Sequence, residues 1–313
     1  AANQPAGASG AVGGNIAETT HVYDQTSVLP ANEFSLVGWT FRGWAFAPNS
    51  AETDFADGAE AYNVADAEGA VVTLYAVWKA NEYTITYEAN APVTASGTIT
   101  GATNVSSHTY DAEKPLNENG YALRGWTFLG WAKTANGAAL YEDTQNVVNL
   151  STVNGATVTL YAVWKANTYS ISFDTVGGSF TEAISAVYDS DIPSLIAPTR
   201  KGYNFNGYYA ERDGNGTKFF ESDGNALLKY TVLGDIRLYA YWTPVNYDIQ
   251  LYSQGKYVAT ISNVVFGSMR LPSAEELNLK RDNYDFVGWN LYDDQNWAMY
   301  YADLDYNTGI ADV

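Results

Sequence analysis

One six-residue stretch recurs along this chain: TLYAVW at residues 73–78, the same letters at 159–164, and the looser RLYAYW at 237–242. A chain that repeats a strand has to fold as several similar pieces, so the period comes before any other reading. Each copy alternates Leu, Ala and Trp on one side with Tyr and Val or Tyr on the other, the two-residue period of a strand rich in β-formers. A short connector follows (KAN at 79–81 and 165–167, PVN at 244–246) and hands over to a second strand, YTITY at 83–87, YSISF at 169–173 and YDIQL at 247–251.

From Trp78 to Trp164 is 164 − 78 = 86 residues and from Trp164 to Trp242 is 242 − 164 = 78. Solenoid repeats run to about 20–50 residues, so these pieces are domain-sized beads with small cores of their own. Four beads are expected: residues 1–80 without an opening strand, 81–166, 167–244, and 245–313 without a closing strand. Each has a radius of gyration of roughly 12 Å, and four in line would make a rod of roughly 120 Å. The same piece is thus missing at both ends. The plainer account is a window on a longer array; the sharper one has neighbouring chains supply the missing strands.

A second landmark recurs as VGWTFRGW at 37–44, RGWTFLGW at 124–131, RKGYNFNGY at 200–208 and RDNYDFVGW at 281–289. Its aromatics alternate, and a Gly between two of them marks close approach by backbone or a ring. Between the Tyr-Asp strand (HVYD at 21–24, HTYD at 108–111) and this landmark, a turn or two of helix is the most the spacing allows. Ser273 and Glu276 form a capping box there in the fourth copy, while Pro193 and Pro198 break such a helix in the third. Hairpin turns rich in Gly, Asn and Asp are expected at 132–138, 210–217 and 292–296.

The set Arg-x-Gly-aromatic-x-Phe-x-Gly-Trp, a Gly-rich turn and Leu-Tyr-Ala-x-Trp resembles the Listeria-Bacteroides repeat, also called the internalin B-repeat. The resemblance covers nearly the whole chain. It implies an α+β, predominantly β fold of tandem β-grasp-like domains, each a mixed sheet packed on one short helix, in the repetitive part of a bacterial surface protein. Its signature positions are Trp44 and Trp78 in the first copy and Trp126, Phe128, Gly130, Trp131 and Trp164 in the second. They continue as Tyr203, Phe205, Gly207 and Trp242 in the third copy and Phe286, Gly288 and Trp289 in the fourth. The chain departs from the pattern at Tyr208, where Trp is usual, at Asn283, which replaces Gly, and in long insertions before residues 21 and 108. The resemblance implies no catalytic residue and leaves any ligand open.

Sixteen Lys plus Arg against 35 Asp plus Glu give a net charge of −19. That field makes nucleic acid and anionic lipid poor partners and repels like-charged copies. The chain has no Cys, which removes disulfides and thiolate metal sites and suits an oxidising exterior. The sequence holds no run of 18 apolar residues, the length a membrane-spanning helix needs, and residues 1–20 carry no basic start with an apolar run behind it.

Residues that could carry chemistry are few. The alternating rings could stack sugars, but at repeated strand positions they read as core. The less regular Tyr209, Trp297 and Tyr300 are the better candidates for ligand contact, beside the 208–209 and 297–301 runs. Asp213, Asn215 and Thr217, with Glu211 nearby, have the oxygen spacing of a calcium loop, though the equivalent turn at 133–137 has no carboxylate and a hairpin turn explains both. His21 and His108 match in position, each expected on a strand beside the surface, without a second His to complete a site. Gly7–Gly14 lacks the Lys-Ser/Thr of a phosphate loop, and Asn104, Asn149 and Asn215 head glycosylation-type triplets.

The expectation is therefore a non-enzymatic extracellular segment at the cell surface, without cofactor or metal, in which beads space or present a binding region. Its partners would be adjacent repeats or like subunits, and a host or environmental glycan or protein. Two other readings stand beside it: a glycan- or protein-binding module using the aromatic loops, and a filament subunit joined by donated strands.

Overall fold

A computed structural model describes residues 1–291 and the backbone of Asp305–Tyr306. Trp297 and Tyr300, and the turn expected at 292–296, lie outside the described residues. The chain divides into two compact units, Ala1–Lys165 and Ala166–Val313.

In the first unit β1 (Trp39–Ala45) pairs antiparallel with β2 (Tyr75–Ala80). Four further strands form one mixed sheet: β3 (Glu82–Glu88), β4 (Ser106–Thr109), β5 (Trp126–Ala132) and β6 (Ala156–Ala166). Their spatial order is β5-β6-β3-β4. The closing strand β6 runs parallel to the opening strand β3, with Ala156 opposite Tyr83 and Tyr161 opposite Glu88, while β4 is antiparallel to β3.

The second unit repeats the plan. β7 (Thr168–Asp174), β8 (Ile184–Val187), β9 (Tyr203–Tyr209), β10 (Lys218–Phe220) and β11 (Ile236–Pro244) lie in the order β8-β7-β11-β9-β10, with β7 and β11 parallel. β12 (Asn246–Ser253) and β13 (Lys256–Val265) follow as an antiparallel hairpin.

Each landmark strand is kinked at its second glycine. The β1–β2 register shifts between Phe41 and Gly43, after which Trp44 N–H donates to the Phe55 carbonyl at 2.8 Å, as Trp131 N–H does to Tyr141. Gly43 and Gly130 take φ of +146° and +137°, and a Cβ there would lie 2.5 and 2.4 Å from those same carbonyl oxygens. Only glycine fits a backbone that pairs on both sides of such a bulge.

The core is aromatic and built alike in every copy. Phe128 packs edge-on to Trp131 and Trp164, at 4.9 and 5.6 Å between ring centres. Phe41 does so to Trp44 and Trp78, Phe205 to Tyr208, with Trp242 tilted against it at 5.3 Å, and Phe286 to Trp289. Edge-to-face pairs of this kind add to what burial alone contributes. The indole N–H of each closing-strand Trp is satisfied by a carbonyl next to the opening strand: Trp164 by Ala89 at 2.8 Å and Trp242 by Thr175 at 2.9 Å.

The described residues are predominantly β and contain no α-helix; their helical part is one 3-10 turn, Arg212–Gly214. The capping box forms, with Ser273 N–H on the Glu276 carboxylate at 2.9 Å and Glu276 N–H on Ser273 Oγ at 3.2 Å. It opens onto a single turn, because Asn278 at φ +52° reverses the chain. In the second copy the corresponding segment is extended instead: Lys114–Pro115 pairs with Asn146–Val147, as Ser27–Val28 does with Glu60–Ala61 in the first. A segment held in a ladder at both copies has no slack to coil.

Candidate functional site

The most repeated polar arrangement lies where one copy hands over to the next. Asn81, in the connector after β2, donates its N–H to the Gly38 carbonyl at 2.8 Å, and its own carbonyl accepts from Tyr110 N–H at 2.8 Å. In the second unit Val245 donates to Gly202 at 2.9 Å and accepts from Phe266 N–H at 2.9 Å. Asn167 likewise accepts from Tyr188 N–H at 2.9 Å. One connector residue thus ties the landmark of one copy to the Tyr-Asp strand of the next through the backbone, so the bond pattern survives a change from Asn to Val.

A glycine and a ring complete the joints at Asn81 and Val245. A Cβ on Gly38 (φ +74°) would fall 2.2 Å from the Tyr110 ring, and one on Gly202 (φ +77°) 2.3 Å from the Phe266 ring. No larger residue lets the following copy's aromatic side chain seat against the preceding backbone.

The first joint has an additional polar hub. The Asp111 carboxylate accepts from Ser9 N–H at 3.0 Å, Ser9 Oγ at 2.6 Å, Trp39 Nε1 at 3.0 Å and Asn149 Nδ2 at 2.8 Å. Desolvation pushes its pKa up, but the donors from Ser9, Asn149 and Trp39 outweigh that and bring it down to about 2. Asn149 also accepts the Asp111 N–H at 2.6 Å. Asp24 and Asn63 make the same reciprocal pair in the first copy, at 2.7 and 2.9 Å. Asn81 is buried with both ends of its amide engaged: Thr40 Oγ1 donates to it at 2.5 Å and it donates to the Thr152 carbonyl at 2.7 Å. These bonds link residues of neighbouring copies within the first unit.

Residues 83–163 and 169–241 match the Listeria-Bacteroides repeat domain. The chain carries tandem Listeria-Bacteroides repeats. It is 31% identical over 119 residues to internalin H of Listeria monocytogenes, covering 38% of this chain and 19% of that protein. Two proteins of Evansella cellulosilytica, both with provisional membrane-protein names and one of them called Gly-rich, are 27% and 26% identical over 224 and 263 residues. Those matches cover 70% and 84% of this chain but 30% and 28% of the relatives, so the chain spans less than a third of their length.

Within the repeats the expected residues fall as follows. Trp44 and Trp131 lie in the core, and Trp78, Trp126, Phe128, Trp164, Tyr203 and Phe205 are half-buried around it. Tyr209 is half-buried too, its ring 5.8 Å from Tyr241 with Lys218 Nζ 5.8 Å over its face. Tyr208, read with Tyr209 as a run suited to exposed contact, is instead fully buried, its hydroxyl paired with Thr181 Oγ1 at 2.6 Å. It replaces the repeat's usual Trp, and the hydroxyl needs a partner the indole's position would not offer.

His108 requires a correction as well. It is not beside the surface but 1% exposed, stacked on Tyr83 at 5.6 Å, with Nε2 at 2.9 Å from Ser106 Oγ. Ser106 Oγ in turn lies 3.0 Å from the Tyr87 hydroxyl and is itself buried. Burial and then Lys114 hold the imidazole pKa below its ordinary value, so this Ser–His pair is a neutral core contact. The 210–217 turn places Asp213 at φ +60°, and among the described residues no three His, Asp or Glu side chains gather as metal ligands would.

Sequence reading missed Asp111, Asn149 and Ser9. A signal for the first two was present: Asp24 precedes Asn63 by 39 residues and Asp111 precedes Asn149 by 38. Ser9 belongs to an insertion with no counterpart pattern, and nothing in its Gly-rich context marks it.

Proposed function

We propose that this chain is a non-enzymatic stalk segment of a bacterial cell-surface protein, spacing a binding region from the cell. The carrying observation is the repeated joint, in which a single connector residue makes two backbone bonds, one to each copy, while a ring of the second seats on a glycine of the first. The two joints built this way, one inside each unit, lack the slack of a flexible linker. The strand order, with parallel opening and closing strands at the centre of the sheet, supports a β-grasp reading of the repeats. The names of internalin H and the two membrane-protein relatives support a place at the surface.

Small-angle scattering of the 313-residue chain tests this. A rod of roughly 120 Å has a radius of gyration of roughly 35 Å, whereas a compact globule of this length has about 20 Å. The lower value would sink the proposal.

A further inference from the structure

Asparagine followed by glycine occurs five times in this chain, with the asparagine at 119, 136, 154, 206 and 215. Such pairs are chemically labile. The backbone nitrogen of the glycine can attack the asparagine Cγ, and glycine has no Cβ to hinder the approach. The attack needs an N–H that solvent reaches and no acceptor holds, and a side chain free to bring Cγ over that nitrogen. Five identical dipeptides therefore differ only in what the surrounding chain does to them.

Four are held. Gly120 N–H donates to Thr103 Oγ1 at 2.8 Å, and Asn119 bonds to Tyr121 through both ends of its amide, at 3.0 and 3.1 Å. Gly137 N–H donates to the Thr134 carbonyl at 3.0 Å. Gly155 N–H donates to the Glu82 carbonyl at 2.7 Å, and Asn154 Oδ1 accepts from Glu82 N–H at 3.0 Å. Gly207 is buried inside β9, with Asn206 Nδ2 on Thr243 Oγ1 at 2.9 Å.

The fifth pair is the exception. Asn215 and Gly216 are both exposed, in the turn between β9 and β10. Gly216 N–H has no hydrogen-bond partner among the described residues. The Asn215 side chain is held by one exposed bond, from Nδ2 to the Arg212 carbonyl at 3.1 Å.

We propose that Asn215 is a self-modification site, converting to aspartyl and isoaspartyl forms ahead of the other four Asn-Gly pairs. The Gly216 nitrogen bonds to Cγ, and Nδ2 leaves as ammonia, carrying off the proton that the nitrogen gives up. One water then opens the succinimide at either carbonyl, so solvent supplies the whole reaction. Each event exchanges a neutral amide for a carboxylate. The isoaspartyl form also adds a carbon to the main chain of a turn closed by Glu211 N–H on the Asn215 carbonyl at 3.2 Å and Ala210 N–H on the Thr217 carbonyl at 2.9 Å.

The test holds the folded 313-residue chain at mildly alkaline pH, samples it over days, and maps aspartate and isoaspartate at each site by mass spectrometry after proteolysis. Asn215 is expected to convert roughly tenfold faster or more than any of the other four, since each of those must first break a bond or leave a buried strand. In urea the five rates should draw together to within about threefold, the remainder reflecting residual structure of the unfolded chain. Conversion of another Asn-Gly pair first, or equal rates in the folded chain, would overturn the proposal. So would an unchanged spread in urea, since neighbouring residues and not the fold would then set the order.

Discussion

Residues 70–80 and 156–166 differ at one position, Val71 against Thr157, yet the first forms a strand of six residues and the second a strand of eleven. The exchange favours the first, since Val is the better β-former. What differs is the neighbour: residues 156–161 have β3 beside them, and no described strand pairs with residues 70–74. Strand structure here follows from pairing on the far side, and propensity only permits it. The two histidines tell the same story. His108 is buried beneath the ladder, while His21 stays partly exposed and turns to Thr19 at 2.8 Å.

The largest effect should come from the cores. Trp131→Ala should destabilise the first unit by about 3–5 kcal/mol, and Trp44→Ala by less, because no counterpart of Tyr87 packs on it; urea unfolding followed by near-ultraviolet circular dichroism measures both. Equal losses would mean that the Tyr87 ring, 4.8 Å from Trp131, adds nothing to its core. Next, Thr159→Pro removes a donor from a central ladder and should cost about 3 kcal/mol. Thr73→Pro, at the matching but unpaired position, should cost under about 1 kcal/mol, and the ratio of the two reads the contribution of pairing directly.

Gly38→Ala meets both a positive φ and the Tyr110 ring, so a loss of about 2–3 kcal/mol is expected. Gly155→Ala shares the φ of +74° with nothing within 4 Å of its Cβ, and about 1 kcal/mol follows from backbone strain alone. Amide exchange at Asn81 and Tyr110 should rise only in the first variant.

The smallest effect concerns acid. A carboxylate whose folded pKa is lowered adds stability that is full above its unfolded pKa, near 3.8, and is lost as pH falls through the folded value, about 2 for Asp111. Asp111→Asn should lower the melting temperature at pH 5 and lower it much less at pH 2. An equal drop at both would show that Asp111 acts by shape and not by charge.

Much of this was legible from residue order. The period, the alternating Leu-Tyr-Ala strand, and the glycine between two aromatics each follow from local rules, because a two-residue period and a bulge glycine are written into adjacent positions. Tyr208 was misread because a Tyr-Tyr pair on a strand always sends its rings to opposite faces, and local pattern does not say which face is covered. The Asp111–Asn149 pair could have been found from its repeat as Asp24 and Asn63, but the other partners of Asp111, Ser9 and Trp39, lie 102 and 72 residues away with no repeated counterpart to mark them.

The sequence by itself determined the tandem repetition, its landmarks and the aromatic nature of the cores, since these depend on side-chain identity at short, regular spacing. Tertiary structure alone decided that opening and closing strands run parallel at the sheet centre and that one connector residue bonds to both copies. Those outcomes depend on which backbone groups find a partner across space.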